Sequence, residues 1–266
     1  MPQIAIIHDP TSNHASTWVE WLQSAGLQVD TICDEDSFSN FGSNKYDLVI
    51  PLITISDYVN KDNARMRAMT HFSAMGLHLL TPAAAIAISS DKLLTAKTLH
   101  EHSLPHPWTV LTKDYSWNSD ESHGVIIKPR FGHSGREVYL AKNESDISDQ
   151  QDEDFLAQHY IKDATCIRVT ASPTEILEAY KKIPPTGEVV ANINKGSRAE
   201  PITLSSDMEQ LAKQTVRALG GGLMGVDLLD SPEGLFVLEA NVPFGFDQND
   251  GQLRQKLISY IKEEAR

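Results

Sequence analysis

Apolar positions change their spacing along the chain, and each change marks a different kind of element. Ile4 to His8 is a short apolar run, followed by Trp18, Trp21, Leu22 and Ala25 at helical spacing, with Ser16 as candidate cap and Gly26 as stop. Val29 to Ile32 and Leu48 to Ile53 are further strand candidates, and Asn63 to Met75 reads as a helix ending at Gly76. Strand alternating with helix predicts a small parallel sheet. Pro82 to Ser89 and Asp91 to His102 read as consecutive helical pieces; Pro105 and Pro107 stop the second, because proline cannot continue the hydrogen-bond ladder.

From Gly124 the texture becomes short strands and turns. Val125 to Ile127 enters Lys128 and Pro129, and Glu137 to Ala141 can return after the Gly132-His133-Ser134-Gly135 turn as a hairpin. Asn143 to Asp154 is polar and acidic, a solvated helix or loop, while Phe155 to Ile161, Ile167 to Ala171 and Glu175 to Lys182 continue the strand-rich pattern. Ser206 and Glu209 spell a capping box that opens a helix to about Leu219. Two strands follow, Met224 to Leu229 and Leu235 to Asn241, joined by a Ser231-Pro232-Glu233-Gly234 turn, and the last stretch reads as an amphipathic helix.

Composition narrows the function. With 266 residues there is room for two or three small lobes, and 41% hydrophobic with 22% charged residues is ordinary for a folded protein. A formal charge of −13 argues against nucleic acid and anionic membranes as partners. Cys33 and Cys166 are too few for a disulfide framework and suit a reducing, cytoplasmic setting. The opening Met1 to His8 lacks a basic flank, so it reads as a first strand and not a signal peptide, and no run reaches membrane-spanning length.

The candidate chemistry lies where polar oxygen interrupts apolar strands. Asp227 stands within Gly225 to Leu229, and Glu239 and Asn241 within Phe236 to Asn241. Alternation puts Glu239 and Asn241 on one face, and Asp227 joins them if the hairpin register is even. Magnesium takes a few such oxygens and lets phosphates supply the rest. The solvent-facing side of an ordinary hairpin would show the same spacing. Lys128 ends an apolar strand, and the turn around Gly132 could cradle phosphate with its backbone N–H groups, although strand lysines often snorkel to water and glycine turns are common. Lys92, at a helix start, is a weaker signal of the same kind.

Other motifs carry less. Gly220-Gly221-Gly222-Leu223-Met224-Gly225 has the spelling of a dinucleotide fingerprint, but it leaves a helix and enters a strand, the reverse of the order required. His100, His102 and His106 match no common zinc spacing and read as a polar helix end. Asn143 to Ser145 spells a glycosylation acceptor without meaning in a cytosolic chain, and Ser134 has no evident base for a hydrolase.

Taken in order, Ser90-Asp91-Lys92, Ile126 to Pro129, the glycine turn, Ala157 to Ile161, Gly225 to Asp227 and Leu238 to Asn241 resemble the ATP-grasp carboxylate-amine ligases. The closest branch is similar to the ribosomal-protein glutamate ligases and the amino-group-carrier lysine-biosynthesis ligases. The resemblance runs from about residue 80 onward. It implies an α/β (α+β) ATP-grasp fold of three lobes: a parallel N-terminal α/β lobe at 1–81, a central lobe carrying the phosphate loop at 82–161, and a C-terminal lobe carrying the metal site at 162–266. ATP would lie between the two strand-rich lobes.

By the same resemblance, Lys92 and Lys128 would touch ATP phosphates, and Gly132, His133, Ser134, Gly135 and Arg136 would close over them. Gln158, His159, Tyr160 and Ile161 would meet adenine. Asp227, Glu239 and Asn241 would hold magnesium, two ions being expected and manganese able to stand in. Arg168 would sit near the substrate carboxylate and transferred phosphoryl group, with Asn192 and Lys195 steadying an acyl phosphate. His159 stands where relatives have glutamate, Cys166 where they have aspartate, and Val242-Pro243-Phe244-Gly245 where they have Ser-Pro-Gly.

The implied activity joins a carboxylate to an amino acid or small amino compound through an acyl phosphate. Glutamate addition to a protein or peptide tail, and a non-catalytic nucleotide-binding module, are the alternatives. Partners would be small carboxylate and amine substrates, with a peptide acceptor and a homo-oligomer both allowed.

Overall fold

The computed structural model describes residues 1–8, 13–33, 45–53, 64–117, 123–132, 135–147, 154–186, 196–244 and 251–266. Among them the strands form three sheets. The first contains β1 (Gln3–His8), β2 (Gln28–Ile32) and β3 (Leu48–Leu52), parallel throughout in the order β2-β1-β3. A parallel sheet needs cover on both faces, which is why β3 is buried at all five positions. Ile4, Ile6, Leu48 and Ile50 pack against Trp18 and Leu22 of α1 (Asn13–Ser24) and against Leu253, Leu257 and Ile261 of α6 (Gly251–Glu264). Ala5, Ile7 and Val49 face Met69 and Phe72 of α2 (Ala64–Ala74) on the other side. The C-terminal helix therefore returns to cover the N-terminal sheet.

Helices α3 (Ala83–Ser90) and α4 (Lys92–Glu101) bridge the lobes. Ala83 and Ile86 join the first lobe's core, whereas Ala85 and Leu99 join the third's, so packing crosses the lobe limits expected at residues 82 and 162. The second sheet holds β4 (Thr109–Leu111), β5 (Val125–Pro129), β6 (Tyr139–Ala141) and β7 (Phe155–His159), antiparallel in the order β4-β7-β5-β6. Val125, Ile127 and Ala157 point into a core with Ile147, backed by Trp108 and Tyr115. Alternation leaves Ile126, Lys128 and Gln158 for the opposite face.

The third sheet runs β10-β9-β8-β11-β12, from β8 (Thr165–Ala171), β9 (Ile176–Ile183), β10 (Arg198–Pro201), β11 (Met224–Ser231) and β12 (Gly234–Asn241). Ile167, Val169, Val226, Leu228 and Ala240 pack on Leu211, Ala212 and Val216 of α5 (Ser206–Ala218). Several local expectations shift. Ser16 lies inside α1, not at its cap, and α5 is capped by Ser205, whose hydroxyl accepts from the Met208 N–H at 3.3 Å, one residue before the expected box. Strands β4 and β10 escaped the sequence reading: β4 is three residues long, and β10 is exposed at all four positions, so neither shows an apolar pattern.

The glycine run before β11 is a packing device. Thr81 Oγ1 donates to the Leu223 carbonyl at 3.0 Å and accepts from its N–H at 3.1 Å. That approach leaves no room for a side chain at Gly222, where a Cβ would fall 2.6 Å from Thr81 Cα and φ is +88°. Gly222→Ala should lower unfolding free energy by about 2 kcal/mol or more, through left-handed strain plus displaced backbone, as read by urea denaturation.

Candidate active site

Strand alternation gives the third sheet a second face, opposite the one packed on α5. Arg168 lies across from Tyr180 on one side and Asp227 on the other; Cys166 lies across from Lys182. Asp227 in turn pairs with Glu239, and Gly225 with Asn241, before a bulge between Asp227 and Leu228. Direct cross-strand partners project to the same face, so Arg168, Lys182, Asp227, Glu239 and Asn241 converge.

Asp227 is the centre of this cluster and is 1% exposed. Arg168 donates from Nε to Oδ1 at 2.5 Å and from Nη2 to Oδ2 at 2.8 Å, and Lys182 Nζ donates to Oδ2 at 2.7 Å. Burial alone would push the carboxyl up, but the two cations outweigh it and hold Asp227 at about 2. Gly225 makes the geometry accessible: a Cβ there would meet Arg168 Nη1 at 2.9 Å and Phe244 Cβ at 2.7 Å. Glu239 and Asn241 are half-buried, with Asn241 Nδ2 donating to Glu239 Oε1 at 3.2 Å. The Tyr180 phenol is pushed up to about 12 by burial, against the opposing charge of Arg168, so it stays a donor.

The second sheet supplies further cations. Lys128 is 5% exposed and donates to Gln158 Oε1 at 2.9 Å; Gln158 is fixed by donating to Thr109 Oγ1 at 2.9 Å. Burial draws the Lys128 amine down to about 8, with the negative charge of Glu239 opposing and Lys92 reinforcing the shift. Lys92 is held by donating to the Gly132 carbonyl at 2.7 Å. Beneath it Asp91 caps α4 through the Leu93 and Leu94 N–H groups and pairs with Arg130 at 2.6 Å, tying the helix start to the end of β5. Lys92, Lys128, Arg168 and Lys182 set four positive charges against Asp227 and Glu239. The balance favours a polyanion.

The RimK-like ATP-grasp domain profile matches residues 89–261, nearly two thirds of the chain. The chain belongs to the RimK-like ATP-grasp family. It is similar to the coenzyme gamma-F420-2:alpha-L-glutamate ligase of Methanococcus maripaludis, 25% identical over 245 residues, covering 82% of this chain and 84% of that one. A probable alpha-L-glutamate ligase of Legionella pneumophila is 29% identical over 238 residues, covering 83% and 78%. Among solved structures, the ATP-grasp ligase PsnB complexed with minimal precursor, Mg, and ADP superimposes with a TM-score of 0.72 at 17% identity, covering 99% of this chain and 98% of that one. The fold is ATP-grasp, and the protein is an ATP-dependent ligase forming carbon–nitrogen bonds.

Within this ATP-grasp frame the expected residues fall into distinct groups. Arg168, Asp227, Glu239 and Asn241 share one face of the third sheet, Lys128 bonds Gln158 on the second, and Lys92 starts α4. Gly132 and Gly135 stand on the turn after β5 with φ of +113° and +63°, and Arg136 is exposed. His133, Ser134, Asn192 and Lys195 lie outside the described residues. His159 pairs with Glu233 on the β11–β12 turn at 3.1 Å, joining the two lobes, while Ile161 is buried and Tyr160 half-buried. His102 and His106 bond backbone carbonyls through Nδ1, and no cluster of three metal-ligating side chains occurs among the described residues.

Sequence reasoning missed Lys182 and Gly225. The signal for Lys182 was present in the period-two spacing of Glu178, Tyr180 and Lys182, which carries polar groups along one face of a strand. Because the folded carboxyl of Asp227 titrates below its unfolded value, its stabilisation is complete above about pH 4 and disappears as pH falls toward about 2. Asp227→Asn should lose about 3–5 kcal/mol at neutral pH, by leaving two buried cations without their carboxylate. Its stability should also fall less steeply than wild type between pH 4 and pH 2, measured by urea titration at each pH.

Proposed function

We propose that the protein activates a carboxylate with ATP and joins it to the amino group of an amino acid, with L-glutamate as the favoured amine. The observation carrying the reading is the direct pairing of Asp227 with Glu239 on a sheet face that also carries Arg168 and Asn241. The glutamate ligases among its relatives support glutamate over other amines.

In this reading Lys92 and Lys128 bind phosphate oxygens, the turn from Gly132 to Arg136 covers them, and Gln158 to Ile161 hold the base. Magnesium suits the oxygens present. Glu239 and Asn241 keep free lone pairs, and Asp227, accepting three of the roughly four bonds a carboxylate can take, retains one. When bound, the ion would supply positive charge against that developing on the transferred phosphoryl group.

The substrate carboxylate attacks the γ-phosphorus and ADP leaves. The neutral amine nitrogen then attacks the acyl carbon, phosphate departs with the electrons of the broken C–O bond, and the nitrogen releases its extra proton to the departing phosphate. Arg168, locked on Asp227, orients the carboxylate and phosphoryl oxygens, while Asn192 and Lys195 steady the acyl phosphate. Covering the site keeps water from that intermediate.

An ADP-release screen with L-glutamate against the other amino acids, across a panel of carboxylates with hydroxylamine as trap, tests this directly. ADP formation should require a carboxylate, hydroxamate should accumulate without amine, and glutamate should give the fastest turnover. Equal ADP release with no carboxylate present would rule the reading out. A second expectation concerns pH. Phosphate binding needs the Lys128 ammonium, which in the free protein is lost above about pH 8. Nucleotide affinity should therefore decline as pH rises past 8, approaching about tenfold per unit, and Lys128→Arg should flatten that decline in calorimetric titrations.

A further inference from the structure

Lys182 has no part in the roles above, yet it is 8% exposed and spends its ammonium on a carboxylate that Arg168 already holds bidentately. Burying a second cation on one carboxylate is a costly way to secure it, since desolvation takes back much of the Coulomb gain. Its place in the sheet suggests another use. From β12 inward the site face carries Glu239, then Asp227, then Arg168, then Tyr180 on β9, with Lys182 two residues along that strand opposite Cys166. Lys128 senses Glu239 at the β12 side. Three strand steps of about 4.8 Å separate Glu239 from the far strand, roughly 14 Å in all. A nucleotide entering past Lys128 and reaching across Asp227 brings its terminal phosphate toward Arg168 and Lys182.

We propose that Lys182 is a third phosphate-binding cation, parked on Asp227 in the ligand-free protein and turned to the transferred phosphoryl group when the nucleotide is bound. The inference rests on the ligase reading. Arg168 keeps its bidentate grip on Asp227 through the exchange, so the carboxylate is never left as a bare buried charge. A lysine suits this duty better than arginine, because its flexible stem can redirect a single point charge without breaking a planar pair.

The test is a double-mutant cycle read by calorimetry in EDTA, with a non-hydrolysable ATP analogue and with ADP, on wild type, Asp227→Asn, Lys182→Met and the double variant. The double variant still leaves Arg168 without its carboxylate, so the effect of Lys182 is read within one Asp227 background at a time, and Lys182→Gln serves if the methionine variant does not fold. In the Asp227→Asn background, loss of Lys182 should weaken the triphosphate analogue roughly tenfold or more and ADP much less; Lys182→Arg should recover part of the loss. No further loss on adding Lys182→Met to Asp227→Asn would show that Lys182 only balances Asp227, and equal losses for both nucleotides would remove it from the terminal phosphate. Wild-type protein that binds neither nucleotide even when magnesium replaces EDTA would instead overturn the nucleotide reading itself.

Discussion

A carboxylate buried at the centre of an antiparallel sheet dictates much of what surrounds it. Asp227 is closed from water, and its charge persists because Arg168 grips both oxygens while Lys182 adds a third donor. For Arg168 to lie flat across β11, position 225 must be glycine. For Lys182 to reach the same oxygen, β9 must pair with β8 in a register that sets Lys182 opposite Cys166. The chemistry of one residue thus constrains three strands.

The two faces of the third sheet divide structure from function. One face, rich in Val, Leu, Ile and Ala, packs on α5, α3 and α4 and makes the sheet a rigid platform. The other carries the acids, cations and amide, and rigidity beneath them sets their spacing. Beside that apolar packing, polar ties to the second lobe include the His159–Glu233 pair and the Val237 N–H donating to the Pro105 carbonyl at 2.8 Å.

Departures from the family pattern acquire physical meaning here. His159, where the resemblance leads one to expect glutamate, meets Glu233 of the β11–β12 turn across the lobes. Cys166 is pushed up to about 12 by burial, with Asp227 adding to the shift, and its thiol carries no charge at neutral pH. Lys182 across from it is therefore left to Asp227 as its carboxylate.

Much of this was legible in the chain, for a definite reason. Spacing reveals which residues share a face of one element, so the parallel first sheet, the strand pairs around Gly132 and Gly234, and the likeness of Asp227, Glu239 and Asn241 to a ligand set could all be read in order. What spacing does not carry is register between strands distant in sequence. That Asp227 faces Glu239 across the hairpin, that Arg168 and Lys182 from β8 and β9 close on the same carboxylate, and that α6 returns to cover the first sheet were decided by tertiary pairing alone. Short or fully exposed strands such as β4 and β10 leave no apolar signature, because their partners and not their own side chains hold them in place.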